Sequence, residues 1–342
     1  MGFGSRKLVV VAAVVAATAA SGAHAQATLE AAKREGKVTI YSGQPIDRLQ
    51  KLVDGFGKKY AGISVDFYRG DTGQYGQKFE AESAAGRPVA DVVLAASVST
   101  KRWAAKDLLQ KYVSPAAADY PPELKDPAGY FNTFAINVTT FAWNTGKVKA
   151  EDAPRRWADL LDPKWKGRVG FQDPIAGGGA RTWVITMFKE LGGEAPWGDF
   201  MMRLAAQQPR YGAYMQVREM LTSGEVDLQV AAYPDFTEPL KAKGAPVEWG
   251  VPEFAVFVGN TTNLPRNPPN PNAAKLFIDY LLSDDGQRIL GETGTIPAKP
   301  AFRPAAFARL NQVRLVDSLS AEDVGKTDAY FSEKIKELFA RR

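Results

Sequence analysis

The sequence predicts an α/β fold, and two features of its 342 residues support this. Short apolar runs of strand length alternate with stretches whose apolar residues recur at helical spacing. Turn residues separate the two kinds of stretch, as in a mostly parallel sheet with crossover helices. At this length, two domains or one large bilobed unit are expected.

The predicted elements alternate along the chain. Apolar runs or alternating stretches predict strands at 37–41, 63–67, 90–95, 134–143, 168–171, 226–232 and 254–258. Amphipathic spacing predicts helices at 46–56, 74–85, 157–161, from about 180, at 214–221 and at 272–283. In sheets of this kind, ligands bind outside the carboxyl ends of the strands. The turns that follow the strands are therefore expected to converge on one cleft.

The first 25 residues have the organisation of a secretory signal peptide. Arg6 and Lys7 precede an apolar segment from Leu8 to Ala20, and Ala23 and Ala25 supply small residues where a signal peptidase reads them. The segment is too short to span a bilayer. We therefore expect cleavage after Ala25 and an exported, soluble mature chain, with a retained membrane anchor as the alternative.

Cleavage would also remove His24, the only histidine, from a chain that has no cysteine. The mature chain could then form no serine–histidine triad, cysteine nucleophile, disulfide or zinc site of ordinary nitrogen and sulfur ligation. Loss of Arg6 and Lys7 would lower the net charge from +5 to +3. Since no dense basic run is present, nucleic acid is not an expected partner.

Five stretches, read in order, resemble the periplasmic solute-binding proteins of ABC transporters, in the group that includes the ferric-ion-binding proteins. They are VTIYSG at 38–43, ADVV at 90–93, WADLLDPKWKGRVG at 157–170, SGEVD at 223–227, and AKLFIDYLLS at 274–283 with Gly286 and Gln287. The stretch at 157–170 is the most specific. The resemblance implies the type II periplasmic binding fold: two α/β lobes joined by two crossing strands, with a ligand cleft between them that closes about a hinge.

The resemblance also implies how the chain is divided. The first lobe would contain residues 26–136 and 254–300, and the second lobe 137–253, with crossings near Asn137 and near 249–254. Residues 301–342 would form C-terminal helices that pack across the lobes. The implied protein is not an enzyme, lies in the periplasm and docks on an inner-membrane permease. We expect a monomer, because both lobes must be free to move and to dock.

The metal site of the ferric relatives does not carry over to this chain. Their ligand positions fall on Pro45, Ala96, Pro234 and Asp235, and Tyr233 is a neighbouring phenol. Ferric iron prefers several anionic oxygens, and one carboxylate and one phenol are too few unless the ligand brings its own. We therefore predict a non-metal ligand and no cofactor.

The glycine-rich stretch GGGART at 177–182 is expected to bind an anion. Glycines after a strand leave backbone N–H groups open at a helix N-terminus, where the helix dipole favours negative charge. The resemblance places the synergistic anion of the ferric relatives at Gly179 and Ala180. Arg181 could add a guanidinium suited to bidentate binding. The alternative is a flexible loop followed by a solvated arginine.

Further candidate ligand-binding residues lie in the turns that follow the other strands. In the first half of the chain they are Ser42, Gly43, Gln44, Thr72, Ala96 and Ser97. The small residues at 96 and 97 would leave room for an organic ligand. Trp157 and Trp165 are expected to pack in the interior and not to form an aromatic ligand cage.

Three candidates lie in the second half of the chain. Tyr214 matches a position that contacts the anion in the ferric relatives, and Tyr233 could stack on a ligand and donate a hydrogen bond. Asp235, together with Arg181, would suit an amine beside an acid group. The alternatives are packing at a helix start for Tyr214, a hinge tyrosine and a surface aspartate.

The predicted function is capture of a small organic anion or zwitterion: a carboxylate, a phosphonate or a phosphate ester. A second hypothesis keeps the class and makes the ligand Fe(III) or a ferric chelate. A third, a secreted hydrolase with paired carboxylates, has little support because no two acids stand at a recognisable spacing.

Overall fold

A computed structural model describes residues 26–70, 72–176, 178–320 and 322–339, with the backbone alone at 72 and 73. The predicted signal peptide at 1–25, Gly177 and the side chain of Thr72 lie outside the described residues. In the described part of the chain, no helix has the length and apolar character needed to cross a membrane.

The strands form two sheets that share one long strand. They are β1 (Lys37–Ser42), β2 (Ser64–Arg69), β3 (Val92–Ala96), β4 (Phe131–Asn144), β5 (Val169–Gln172), β6 (Arg210–Gly212), β7 (Leu228–Ala232), β8 (Val247–Gly250), β9 (Phe254–Asn263), β10 (Ile296–Pro297) and β11 (Arg314–Asp317). The first sheet has the order β2-β1-β3-β9-β4, and the second continues β4-β7-β5-β6. The neighbours β1–β2, β1–β3, β5–β6 and β5–β7 are parallel, as the alternation of strands and helices predicted.

The helices connect these strands and cover the sheets. A helix α1 spans 26–35. It is followed by α2 (Ile46–Lys59), α3 (Thr72–Ala84), α4 (Ser97–Ala105), α5 (Gly178–Glu190), α6 (Glu194–Ala206), α7 (Tyr214–Ser223), α8 (Pro234–Ala242), α9 (Pro271–Leu282), α10 (Asp284–Glu292) and α11 (Asp328–Phe339). The helix predicted at 157–161 is a 3₁₀-helix, Trp157–Leu161. Sequence patterns missed α1, α4, α6, α8 and α10, whereas α11 lies in the segment 301–342, where the resemblance implied helices.

Strand β4 joins the two lobes. Its first part pairs antiparallel with β9 as far as Thr139, and its last part pairs with β7 and β8 from Thr140 and Phe141 onward. The return crossing is the short connection from Gly250 to Phe254. The antiparallel pairing at these crossings makes the complete sheet mixed and not wholly parallel.

The interior is packed on both sides of these crossings. One hydrophobic cluster surrounds β1, β3 and α9 and continues through the crossing to Trp249 of β8. A second cluster surrounds Trp157 and Trp183 and includes Phe331 and Phe339 of α11. The C-terminal segment thus contacts both lobes, since β11 pairs with β9 while α11 packs against α6.

Candidate functional site

The turn after β1 is held together by its own side chains. Ser42 ends the strand and is fully buried, and its Oγ accepts a hydrogen bond of 3.0 Å from the Gln44 N–H. Gly43 is exposed between them. The Ser42 hydroxyl therefore stabilises the turn that leads into α2. The sequence had predicted that Ser42 contacts the ligand directly.

Two arginines converge on Gln44 in this turn. Arg48, one turn into α2, donates from Nη1 to Gln44 Oε1 at 2.8 Å. Arg69, the last residue of β2, donates from Nε to the Gln44 carbonyl oxygen at 3.1 Å. The first lobe thus presents a local concentration of positive charge. Arg48 is not among the residues predicted from the sequence, because its spacing along α2 carries no signal of a ligand contact.

Arg48 is half-buried, and among the described residues part of its guanidinium has no partner. Its Nε is inaccessible to solvent and has no hydrogen-bond partner among the described residues. Burial lowers the pKa of Arg48, while the negative charges of Asp235 and Asp47 act in the opposite direction. Because a buried cation is costly without a partner, this position favours an anion beside it.

Asp235 lies in the first turn of α8, just beyond the carboxyl end of β7 in the second sheet. Within the described ranges, its Oδ1 is likewise buried without a hydrogen-bond partner. Burial raises the pKa of Asp235 to about 6, against the opposing effects of its own backbone N–H and of the positive charge on Arg48. The two lobes therefore bring together a half-buried arginine and a half-buried aspartate that influence each other.

Three aromatic rings flank Asp235. The Tyr233 N–H donates to Tyr214 Oη at 3.1 Å, and the two ring centroids are 4.9 Å apart. Phe236 packs against both, at 5.5 Å from Tyr214 and 6.0 Å from Tyr233. Burial, aided by the charge of Asp235, raises the pKa of Tyr233 to about 12 and also raises that of Tyr214. Both phenols are therefore neutral hydrogen-bonding groups at physiological pH.

The side chains of Gln172 and Tyr233 occupy the space around the glycine turn at the start of α5. The Ala180 N–H donates to Gln172 Oε1 at 3.1 Å. A Cβ on Gly178, where φ is +69°, would lie 2.6 Å from Gln172 Nε2. A Cβ on Gly179 would overlap the Tyr233 hydroxyl. The Ala180 amide, which was expected to bind the anion, is thus already hydrogen-bonded to Gln172.

The fit between Gly179 and Tyr233 gives a testable prediction. In Gly179→Ala the new Cβ would lie 2.6 Å from Tyr233 Cζ, so the ring or the helix start must move. We expect the free energy of unfolding in urea to fall by about 1–3 kcal/mol. The control is Gly198→Ala in α6, where no described atom lies within 4 Å and where alanine should stabilise by about 0.5–1 kcal/mol. Equal midpoints for wild type and Gly179→Ala would contradict the prediction.

The guanidinium of Arg181, offered by the sequence for bidentate binding of an anion, contacts the C-terminal helix α11 in this structure. Its Nη2 donates to the Asp328 carbonyl oxygen at 3.1 Å and to Ser332 Oγ at 3.0 Å. Both acceptors belong to α11, which covers this face of α5. Arg181 therefore attaches the C-terminal helix to the second lobe.

Ala96 is the last residue of β3, and Ser97, the first residue of α4, lines a different space from Arg48 and Asp235. It is buried at the start of α4, beside a cavity of about 260 Å³ that is also lined by Thr133, Gly259 and Asp317. These residues lie on or next to the crossing strands. The lining of this cavity includes neither Arg48 nor Asp235.

The positions of the ferric ligands remain poor in metal-binding groups. Over the described residues, no group of three or more His, Cys, Asp and Glu side chains is arranged to hold a metal ion. The oxygen donors that the structure does bring together are Asp235, Tyr233 and Tyr214. The sequence had suggested a single phenol next to Asp235, and the structure adds a second one.

Comparison with known proteins identifies related sequences and structures. A protein family described as bacterial extracellular solute-binding protein matches residues 87–317. Iron uptake protein A1 of Synechocystis is 25% identical over 75% of this chain and 74% of its own length. A putative 2-aminoethylphosphonate-binding periplasmic protein of Salmonella paratyphi A is 25% identical over 75% of this chain and 77% of its own.

A solved structure extends the similarity over most of the chain. The periplasmic binding protein AfuA of Actinobacillus pleuropneumoniae, determined with exogenous fructose-6-phosphate bound, superposes with a TM-score of 0.67 and 26% identity. The superposition covers 90% of this chain and 99% of AfuA. The type II two-lobed architecture implied by the sequence is thereby confirmed.

Proposed function

The chain belongs to the bacterial extracellular solute-binding proteins, and from this premise we propose that it captures a small organic anion or zwitterion for an ABC importer. The ligand would be a carboxylate, a phosphonate or a phosphate ester, held between the lobes by hinge closure. The protein would work in the periplasm as a monomer that delivers its ligand to an inner-membrane permease. No chemical reaction is part of this function, in keeping with relatives that are binding proteins.

The observation that carries the proposal is the half-buried Arg48, whose guanidinium Nε is inaccessible to solvent. Together with Arg69 it makes the turn at Gln44 positive, and its Nε has no partner among the described side chains and backbone groups. A carboxylate or phosphonate oxygen would supply that partner through a charge-assisted hydrogen bond, which contributes about 1.5–3 kcal/mol. One relative is named as a putative 2-aminoethylphosphonate-binding protein, and the structure of AfuA was determined with fructose-6-phosphate bound. Both of these ligands carry an anionic group, which supports an anion as the ligand of this chain.

A second candidate ligand is Fe(III) in a chelate. Asp235 and the adjacent phenols of Tyr233 and Tyr214 are oxygen donors, and one relative is named as an iron uptake protein. Burial raises the pKa of both phenols, which opposes the deprotonation that ferric binding requires. An organic anion is therefore favoured over the metal.

A thermal-shift screen of the chain from Gln26 tests the proposal. The panel would include Fe(III)-citrate, phosphonates, sugar phosphates, dicarboxylates, amino acids and polyamines. A ligand at about 100 times its Kd adds about 2.7 kcal/mol to the stability, which raises the melting temperature measurably. Shifts with an organic anion and none with Fe(III)-citrate are expected; a shift with iron alone would replace the proposal with the ferric one.

The variant Arg48→Gln should weaken binding of the anion found in that screen at least tenfold. A tenfold loss corresponds to about 1.4 kcal/mol, less than the contribution of one charge-assisted hydrogen bond. The measurement is titration calorimetry, with melting curves to check folding. Arg203→Gln, an exposed arginine of α6, is the matched control and should bind as the wild type does. An unchanged Kd for Arg48→Gln would remove Arg48 from the site.

A further inference from the structure

The two lobes present opposite charges to each other at the site. On the first lobe, Arg48 and Arg69 surround Gln44. On the second, Asp235 begins α8 with an Oδ1 that is buried and, among the described residues, unpaired. A ligand that carried only negative charge would complement Arg48 but would lie close to the Asp235 carboxylate. In a cleft from which closure excludes water, that repulsion is poorly screened.

Asp235 combines an unpaired carboxylate oxygen with a neighbouring cluster of aromatic rings, among the described residues. Tyr233 and Phe236 flank it along α8, and Tyr214 packs against both rings. Phe236 is 44% exposed, so the ring cluster is open to solvent on its side. Aromatic faces attract cations, and a carboxylate oxygen without a partner accepts the N–H groups of a primary amine. A hydroxyl could also donate to Oδ1, but it would leave the negative charge of Asp235 uncompensated.

We propose that the ligand is a zwitterion, with its anionic group at Arg48 and its primary ammonium group at Asp235, beside the ring cluster of Tyr214, Tyr233 and Phe236. This inference rests on the proposed function and narrows it to one ligand class. The charges then alternate across the closed cleft: arginine, ligand anion, ligand ammonium, aspartate. Each buried charge that lacks a partner in the protein gains one from the ligand, so closure need not trap an unpaired ion.

Two matched series of compounds test this assignment by titration calorimetry. The phosphonate series is 2-aminoethylphosphonate, 2-hydroxyethylphosphonate and ethylphosphonate. The carboxylate series is β-alanine, 3-hydroxypropionate and propionate. Fructose 6-phosphate serves as an anion without an amine. The proteins are the wild type, Asp235→Asn, and Asp199→Asn as an exposed control on α6.

We expect the amino compound of at least one series to bind the wild type at least tenfold more tightly than its hydroxyl and unsubstituted analogues. Asp235→Asn should abolish that preference, and Asp199→Asn should keep it. A preference that survives in Asp235→Asn, or equal binding of the amino and hydroxyl compounds, would overturn the inference. Binding of fructose 6-phosphate alone would overturn it while leaving the proposed function intact, and binding of none of the probes would overturn both.

Discussion

Replacing Trp157 by alanine is expected to lower the free energy of unfolding by about 3–5 kcal/mol, the range for deleting a buried aromatic side chain. The indole is almost fully buried, with its ring centroid 4.9 Å from that of Trp183 and 5.9 Å from that of Phe141. Its Nε1 donates to the Phe254 carbonyl oxygen at 2.9 Å. The side chain therefore fills the core of the second lobe and also anchors the start of β9, the crossing strand.

Urea unfolding followed by far-ultraviolet circular dichroism measures this effect without relying on the fluorescence of the deleted tryptophan. Trp157→Phe is the informative companion, because it keeps an aromatic ring but leaves the Phe254 carbonyl without its donor. We expect the free energy of unfolding of Trp157→Phe to fall by less than that of Trp157→Ala. A loss of under about 1 kcal/mol for Trp157→Ala would show that the site collapses around the missing side chain.

The stretch that contains Trp157 illustrates what a sequence pattern can establish. Trp157 and Trp165 were predicted to pack in the interior, and both are buried. Strand ends were also predictable: Ser42 and Ala96 end β1 and β3, and Tyr233 directly follows β7. In each case the signal is local, since a buried strand ends where its apolar run meets a turn or the start of a helix.

The residues that sequence analysis missed or misplaced depend on contacts between distant parts of the chain. Arg48 becomes a candidate only because folding brings it under the influence of Asp235. Arg181 follows three glycines at a helix start, as an anion-binding residue would, yet its orientation is set by α11. Gln172, at the end of β5 and eight residues before Ala180, accepts the hydrogen bond from the Ala180 N–H in the glycine turn. Helix phase and side-chain direction at such points follow from packing, which periodicity does not encode.

The chain should also show a pH-dependent stability that originates at Asp235. Its pKa is about 6 in the folded protein, against 3.8 for the group in its unperturbed state. The folded protein therefore holds a proton that the unfolded chain releases, and stability falls as the pH rises from about 4 to about 6. Above that window, the charged carboxylate costs up to about 3 kcal/mol, since each unit of pKa corresponds to about 1.4 kcal/mol.

In Asp235→Asn this cost is removed. We expect the variant to be the more stable protein at pH 7–8, with a difference that shrinks as the pH falls through 6 and vanishes near pH 4. Urea unfolding of both proteins across this range gives the difference directly, and other titrating groups cancel because they are common to both. A difference that does not change with pH would mean that Asp235 is not desolvated in the folded protein.

The same comparison in an Arg48→Gln background isolates the influence of one lobe on the other. The positive charge of Arg48 lowers the pKa of Asp235, so its removal should raise that pKa and extend the window to higher pH. The stability gained from Asp235→Asn at pH 8 should then be larger than in the wild-type background. If the two gains are equal, the lobes do not interact through this pair in solution. If the gain grows as expected, the charges of Arg48 and Asp235 interact across the cleft before any ligand binds. A zwitterion would then enter a site that already has a positive and a negative side.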